Sequence, residues 1–388
     1  MCKVILRTAG ALFLLFSFYS VKAQLLEFKL VRVDSSTFEI DQRDIHIPLQ
    51  NGNDFYFYDD TFVINLGEDA PNKELILFCL KRYLAEGNIL KKDIARNVRS
   101  QNKRKNDVYF NSHRLKFAKS NRSNSDLFLL TNGNLWKTSL QEKGDLFPLL
   151  NHSELFDYTY LMDSTYITMN YYKEMSLNRD MQSSICLGSI ERGHKKCVVF
   201  SAGDINYSYF NRNKIADFNE KYLVHGVFSE PIVYLRNHDG ELLDSCVINE
   251  EWKAWKDVIG TYDEKELRKA DILDSYGRLI LEAVSKTNVV QFVNDSTIIH
   301  SFMTTPQKVF ETLFRIREDK LYPIATRGPI TKENSSQSPS LVDDFLLITY
   351  YGNFFNGQLI YLSFENGYDE RTVRGKLHFY DVIINEKE

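Results

Sequence analysis

Short apolar runs separated by turn residues recur along this chain, and the clearest set lies near its end, from Val342 to Arg374. Asp343-Asp344 lead into an aliphatic and aromatic run from Phe345 to Tyr351, and a loop with Asn353, Asn356 and Gly357 follows. A second run spans Leu359 to Phe364, and Asn366-Gly367 turn the chain into a more polar third segment ending near Val373. Runs of this length, rich in β-branched and aromatic residues and joined by Asn and Gly, predict three strands of an antiparallel meander.

Five weaker copies precede it. The first opens at Asp59-Asp60-Thr61 before Phe62-Val63-Ile64 and continues through Leu75–Leu80 and Ile89–Ile94. The second starts at Asp126 and turns at Asn132-Gly133-Asn134. The third opens at Asp163-Ser164-Thr165, with a hairpin over Ile185–Phe200, and the fourth at Asn219-Glu220-Lys221, with a turn at His238-Asp239-Gly240. The fifth opens at Asp295-Ser296-Thr297 and turns at Glu318-Asp319-Lys320. Six triplets over one chain give roughly 60 residues per unit, and uneven insertions are tolerated when each unit packs only on its neighbours. The pattern predicts an all-β, six-bladed β-propeller. A seventh blade remains open if Asp107 to Phe117 is a degenerate unit rather than an inner strand. A two-sheet sandwich would not call for six similar triplets. Ring closure falls to Lys376–Ile384 or to the alternating strands between Leu25 and Leu49.

One segment departs from the strand period. Asn249 is a helix N-cap type, and Trp252, Trp255, Val258 and Ile259 follow at helical spacing, so a short helical insertion is expected near 249–274. It would serve as a lid or docking element, or simply pack both tryptophans onto the blades.

The amino terminus carries Lys3 and Arg7, an apolar stretch from Ala9 to Phe18, and Val21-Lys22-Ala23 before Gln24. That is signal-peptide patterning, with cleavage expected between Ala23 and Gln24 and a single domain over 24–388. The apolar stretch is about half the ~20 residues a membrane span needs, so no span is expected after signal removal. Localisation is then periplasmic or secreted. Cys2 precedes the apolar stretch, so no lipoprotein cysteine follows it. With 48 basic against 52 acidic residues, charge gives no argument for nucleic acid.

Cys186 and Cys197 flank the turn Glu191–His194 and form a candidate hairpin disulfide, register permitting. The other reading makes Cys79, Cys186, Cys197 and Cys246 small buried hydrophobes. His225 and His300 follow the first apolar strand of copies four and five at similar registers. In a central channel they would meet Asn65, Asn170 and Tyr350 as a weak metal or anion site, although two imidazoles are too few ligands. No nucleophile-elbow, zinc-protease, dinucleotide or P-loop pattern occurs, so no catalytic residue and no cofactor are assigned.

The acidic turn, aromatic-aliphatic strand and Asp-Gly or Asn-Gly hairpin together resemble the six-bladed β-propeller proteins abundant in Bacteroidetes-type genomes, over about Asp59 to Val382. The resemblance implies an exported protein with no assigned activity. Asp163-Ser164-Thr165 and Asp295-Ser296-Thr297 resemble the O-glycosylation sequons of the same bacteria, at Ser164 and Ser296; the bland reading is ordinary turn chemistry. The expected function is a non-enzymatic binding or scaffold module of the cell envelope, with Trp252 and Trp255 in the contact and an envelope protein or glycan as partner. The competing reading is a hydrolase or lyase working on a glycan or small molecule in the central channel.

Overall fold

A computed structural model describes residues 25–46, 55–58, 61–69, 74–83, 89–98, 115–120, 126–131, 134–139, 146–151, 158–171, 182–201, 215–227, 230–248, 251–252, 285–305, 308–330, 352–366 and 371–385. Strand β1 (Leu26–Asp41) comes first. A first unit follows, made of β2 (Phe55–Tyr58), β3 (Thr61–Asp69), β4 (Glu74–Tyr83) and β5 (Ile89–Val98). The second holds β6 (Lys116–Phe117), β8 (Asp126–Thr131), β9 (Asn134–Ser139) and β10 (Phe147–Asn151), while β7 (Lys119–Ser120), one residue on from β6, crosses to pair with the next sheet. β11 (Tyr158–Met162), β12 (Thr165–Tyr171), β13 (Gln182–Ser189) and β14 (Gly193–Ser201) make the third. The fourth comprises β15 (Ala216–Phe218), β16 (Tyr222–Val227), β17 (Glu230–Asn237) and β18 (Leu242–Val247). β19 (Lys286–Asn294), β20 (Thr297–Thr305), β21 (Lys308–Arg317) and β22 (Lys320–Ile330) form the fifth, and β23 (Asn353–Phe355), β24 (Gln358–Asn366) and β25 (Thr372–Asn385) begin the sixth.

The sixth unit takes its fourth strand from the other end of the chain. β1 pairs antiparallel with β25 from Glu27↔Asn385 to Asp41↔Thr372. Its start also runs parallel to β22 at Leu26↔Ala325 and Glu27↔Thr326, which merges the fifth and sixth units into one eight-stranded sheet. At that junction the Arg327 guanidinium lies 5.5 Å from the Phe28 ring, and its Nε donates to buried Glu311 at 2.7 Å. Such a nearly all-β set of small meanders is a propeller-like fold.

Each hydrophobic core belongs to two successive units. Val63 and Leu77 meet Leu127 and Trp136 between units one and two, and Phe128 meets Leu161 and Tyr166 between two and three. Ile167 and Ile185 meet Leu223 between three and four. Val224 and Leu235 meet Ile298 and Phe314 between four and five, and Val289 and Leu313 meet Leu359 and Tyr361 between five and six. Phe62 and Phe78 then meet Phe379 and Phe38, returning from six to one. Successive side chains of a strand point to opposite faces, so each strand serves two seams at once.

β1 feeds two seams by a different device. Phe28 and Leu30 enter the five–six core, whereas Phe38 and Ile40 enter the six–one core. All four are even-numbered and would share a face in a regular strand. The register shift between Arg32 and Asp34 inserts one residue and exchanges the faces. Fully burying four such side chains is worth roughly 6–12 kcal/mol before chain entropy is charged against it.

Two sequence expectations change here, and one finding bears on an alternative left open. The loop expected at Asn353–Gly357 is a strand, β23, closed onto β24 by a two-residue turn in which Asn356 (φ 49°) and Gly357 (φ 84°) are both left-handed. The helix expected over 249–274 is not seen. Glu251 and Trp252 are not helical, and 253–284 lie outside the described residues. Trp252 packs instead against Phe302, ring centroids 5.8 Å apart, so its side chain is committed to a neighbouring strand. The described end of the segment offered as a seventh unit, Lys116–Phe117, pairs with Leu130 and Leu129 as an inner strand of unit two. Among the described residues the helical element is one 3-10 turn, Gln42–Asp44, and no helix is long and apolar enough to cross a membrane.

Candidate functional site

The innermost strands meet at every seam, and this axial ring is the natural place to look for chemistry. Tyr56 stacks on Phe117 at 5.6 Å between units one and two, and β7 pairs with β11 at Lys119↔Tyr160 and Ser120↔Leu161. Tyr160 stacks on Phe218 at 6.1 Å between three and four. The Phe292 N–H donates to Asp217 Oδ2 at 3.0 Å between four and five. The Gly357 N–H donates to the Val293 carbonyl at 3.0 Å, and Asn353 Nδ2 to the Phe55 carbonyl at 3.3 Å, which completes the circuit.

Asp217 is the charged centre of this ring. Its Oδ1 accepts from its neighbour Phe218 N–H at 2.8 Å and from Lys119 Nζ at 2.5 Å, while Oδ2 takes the fifth unit's amide. The carboxylate is buried, and the ammonium that reaches it is half exposed. One side chain therefore ties the crossing strand β7 and units four and five together. With both oxygens engaged by donors of the fold, the arrangement is a clasp rather than a general base. Tyr160, beside it, has its phenol pushed well above the ordinary value by burial, with the charges of Glu220, Tyr56 and Asp295 adding to it.

The structure does not bring the two candidate histidines together. His225 shares its strand face with Leu223 of the three–four core, and His300 shares its face with Ile298 of the four–five core. They occupy equivalent positions one seam apart. The second strand of a unit packs against neighbouring units on both faces, so neither imidazole belongs to the axis. Arg236 Nε donates to His225 Nε2 at 3.0 Å, and Tyr234 stacks on the ring at 4.9 Å. His225 must then be neutral with its proton on Nδ1. Burial first, then the Arg236 charge, lowers it to about 3. Burial alone takes His300 to about 3. Its Nε2 lies 3.1 Å from Thr287 Oγ1, which is 3.1 Å from the Glu230 carbonyl. That geometry has Thr287 donating to the carbonyl and accepting from His300 Nε2–H. Asn65 turns back on its own strand, accepting from the Gly67 N–H at 2.9 Å. Tyr350 and the Asn170 side chain fall outside the description. Among the described residues no group of three His, Cys, Asp or Glu side chains is placed to hold a metal ion.

Trp252 is half-buried on Phe302, which stacks in turn on His300 at 5.5 Å and Phe310 at 5.3 Å; Trp255 is outside the described residues. Ser164 and Ser296 are exposed in the turns opening β12 and β20. Ala23 and Gln24 are outside the described residues. Cys186 and Cys197 stand directly opposite one another and are joined by a disulfide. Counting from the turn left that pairing open because Leu187 faces Lys196 while Gly188 faces His194, so one extra residue restores the register. The sequence reading passed over Asp217, Lys119 and Arg236. Their signal was a charge inside an apolar segment, as in Ile215-Ala216-Asp217-Phe218.

Among solved structures the chain is similar to a member of the DUF4221 family from Bacteroides vulgatus. That match has a TM-score of 0.50 at 9% identity, over 93% of this chain and 100% of the other. A hypothetical selenium-binding protein from Sulfolobus tokodaii matches at TM-score 0.39 and 11% identity, over 71% of this chain and 66% of its own. Myxococcus xanthus glutaminyl cyclase matches at 0.31 and 10%, over 78% and 100%. The first supports the propeller-like fold. No protein-family model matches the chain. No curated protein matches it either.

Proposed function

We propose that the chain is a six-bladed β-propeller over residues 24–388 that is exported after cleavage between Ala23 and Gln24. In this reading it serves as a non-catalytic binding or scaffold module of the cell envelope, gripping a protein or glycan on one face. The six shared cores and the β1–β25 closure support the blade count. One observation carries the binding reading. Charged groups inside the described fold are engaged within or between units, as at Asp217 and Glu311. The turns between first and second strands, and between third and fourth, collect at one end of the meanders. There Ser164, Arg192, Glu220, Asp239, Ser296 and Glu318 are exposed. A rigid scaffold bearing variable exposed turns is the usual platform for recognition.

We offer Trp252 and Trp255 as anchors of a contact at the opposite end of the meanders, where Trp252 packs on Phe302 toward the β20–β21 end, since aromatic anchors dominate interface energetics. The test is a pull-down from envelope extracts, with a glycan array beside it, using the wild type and a Trp252→Ala/Trp255→Ala variant. Specific recovery lost at least tenfold in the variant is expected. Equal recovery from both removes the tryptophans from the contact, and turnover of an envelope glycan by the purified protein overturns the non-catalytic reading. Intact mass of the exported protein reads the Gln24 terminus and any sugar on Ser164 or Ser296.

A further inference from the structure

The disulfide on the third unit has two unlike halves. Cys186, on β13, is 2% exposed, with Ile185 beside it in the three–four core. Cys197, on the outermost strand β14, is exposed. Thiol–disulfide exchange requires an incoming thiolate to reach one sulfur in line with the bond it breaks, so access decides which sulfur is attacked. Here one partner is an exposed residue and the other is buried, and exposed disulfides are the exchangeable class.

We propose that Cys186–Cys197 is an addressable thiol-exchange site for low-molecular-weight thiols, entered through Cys197. A thiol R–SH, as its thiolate, attacks Cys197 Sγ. The Cys186–Cys197 bond breaks, an R–S–Cys197 bond forms, and Cys186 Sγ leaves with the electron pair and takes up the proton. One disulfide is consumed and one is made, so no further oxidant is needed. A dithiol reductant carries the same entry step to two free thiols by closing its own ring. Every other strand contact of β13 with β14, from Gln182↔Ser201 to Ser189↔Gly193, is a backbone pairing that the exchange does not touch. The modified chain therefore stays folded.

Cys79 is buried and Cys246 half-buried, and burial followed by the Asp244 charge pushes the Cys246 thiol up, so these two need separate treatment. The full chain is purified oxidised, its reachable free thiols are capped with N-ethylmaleimide, and reduced glutathione is added in native buffer. After acid quenching, peptides are mapped by mass. The glutathione adduct is expected on Cys197 at no less than ten times its level on Cys186, with the far-ultraviolet circular dichroism unchanged. The proposal is overturned by comparable adducts on both cysteines or by a predominance on Cys186. It is equally overturned if exchange occurs only in denaturant, or if the oxidised chain carries free thiols at both positions.

Discussion

A proton on His225 would set a second cation against the Arg236 guanidinium, whose Nε lies 3.0 Å from the ring inside a seam where burial already lowers Arg236 itself. His300 is as deeply enclosed, and burial is the cause that lowers it. His378, 2.9 Å from Ser363 Oγ, is lowered to about 4 by burial, then by Arg32 and Lys376. In each case the folded value lies below the ordinary 6.5. The unfolded chain therefore binds more protons than the folded one between pH 6.5 and about 3. Stability is complete above that window and drains away as pH falls through it. At pH 4.5 the loss from His225 and His300 is on the order of 2 kcal/mol each. Urea midpoints at pH 7 and 4.5 measure it, and His225→Gln with His300→Gln should flatten the difference. An unchanged slope in that double variant would show that other groups set the acid limit.

Gly375 shows what a strand seat demands. A Cβ there would stand 2.1 Å from the Phe38 ring, so the ring lies flat on bare backbone at the β1–β25 pairing Phe38↔Gly375. Gly375→Ala should cost on the order of 2–3 kcal/mol by overpacking. Adding Phe38→Leu should recover part of that loss, read as the thermal midpoint of both variants. The strands on either side of a turn were legible in sequence at Asp239-Gly240, whereas at Asn356-Gly357 only the strand after the turn was, and β23 before it was read as loop. The innermost strands were not. Ala216–Phe218 is three residues long and carries Asp217, and Lys116–Phe117 is two, too short for a period of two to register. Among the described strands each pairs only with the next strand of its own unit, and the contacts that hold it from a neighbouring unit, Asp217 to the Phe292 N–H and Phe117 to Tyr56, are ones that no local pattern reports. The same holds for His225 and His300: equal register in two copies was visible, but which seam each faces was not.

At the level of the whole molecule, β1 enters two of the cores formed among the described residues, so its removal should not behave like trimming an end. Deleting Leu26–Asp41, or the 377–388 end that contains most of its partner, is expected to abolish the single cooperative transition rather than shift it. Circular dichroism melts and urea titrations decide. A deletion protein that melts cooperatively near the wild-type midpoint would mean the remaining seams hold the ring unaided.

The closure also sets a timetable. Phe28 and Ile384 are paired, yet roughly 350 residues separate them, and at synthesis rates of 5–20 residues per second that gap is about 20–70 s. Throughout that interval Phe28, Leu30, Phe38 and Ile40 lack the sixth unit's share of their cores and the strand they pair with, since β24 and β25 have not been made. The earliest apolar segment of the domain to emerge is the last to be buried. A chain stalled just before β25 is therefore expected to present the β1 edge unpaired, readable as stronger capture of that nascent chain than of the completed one by a hydrophobic-segment binder.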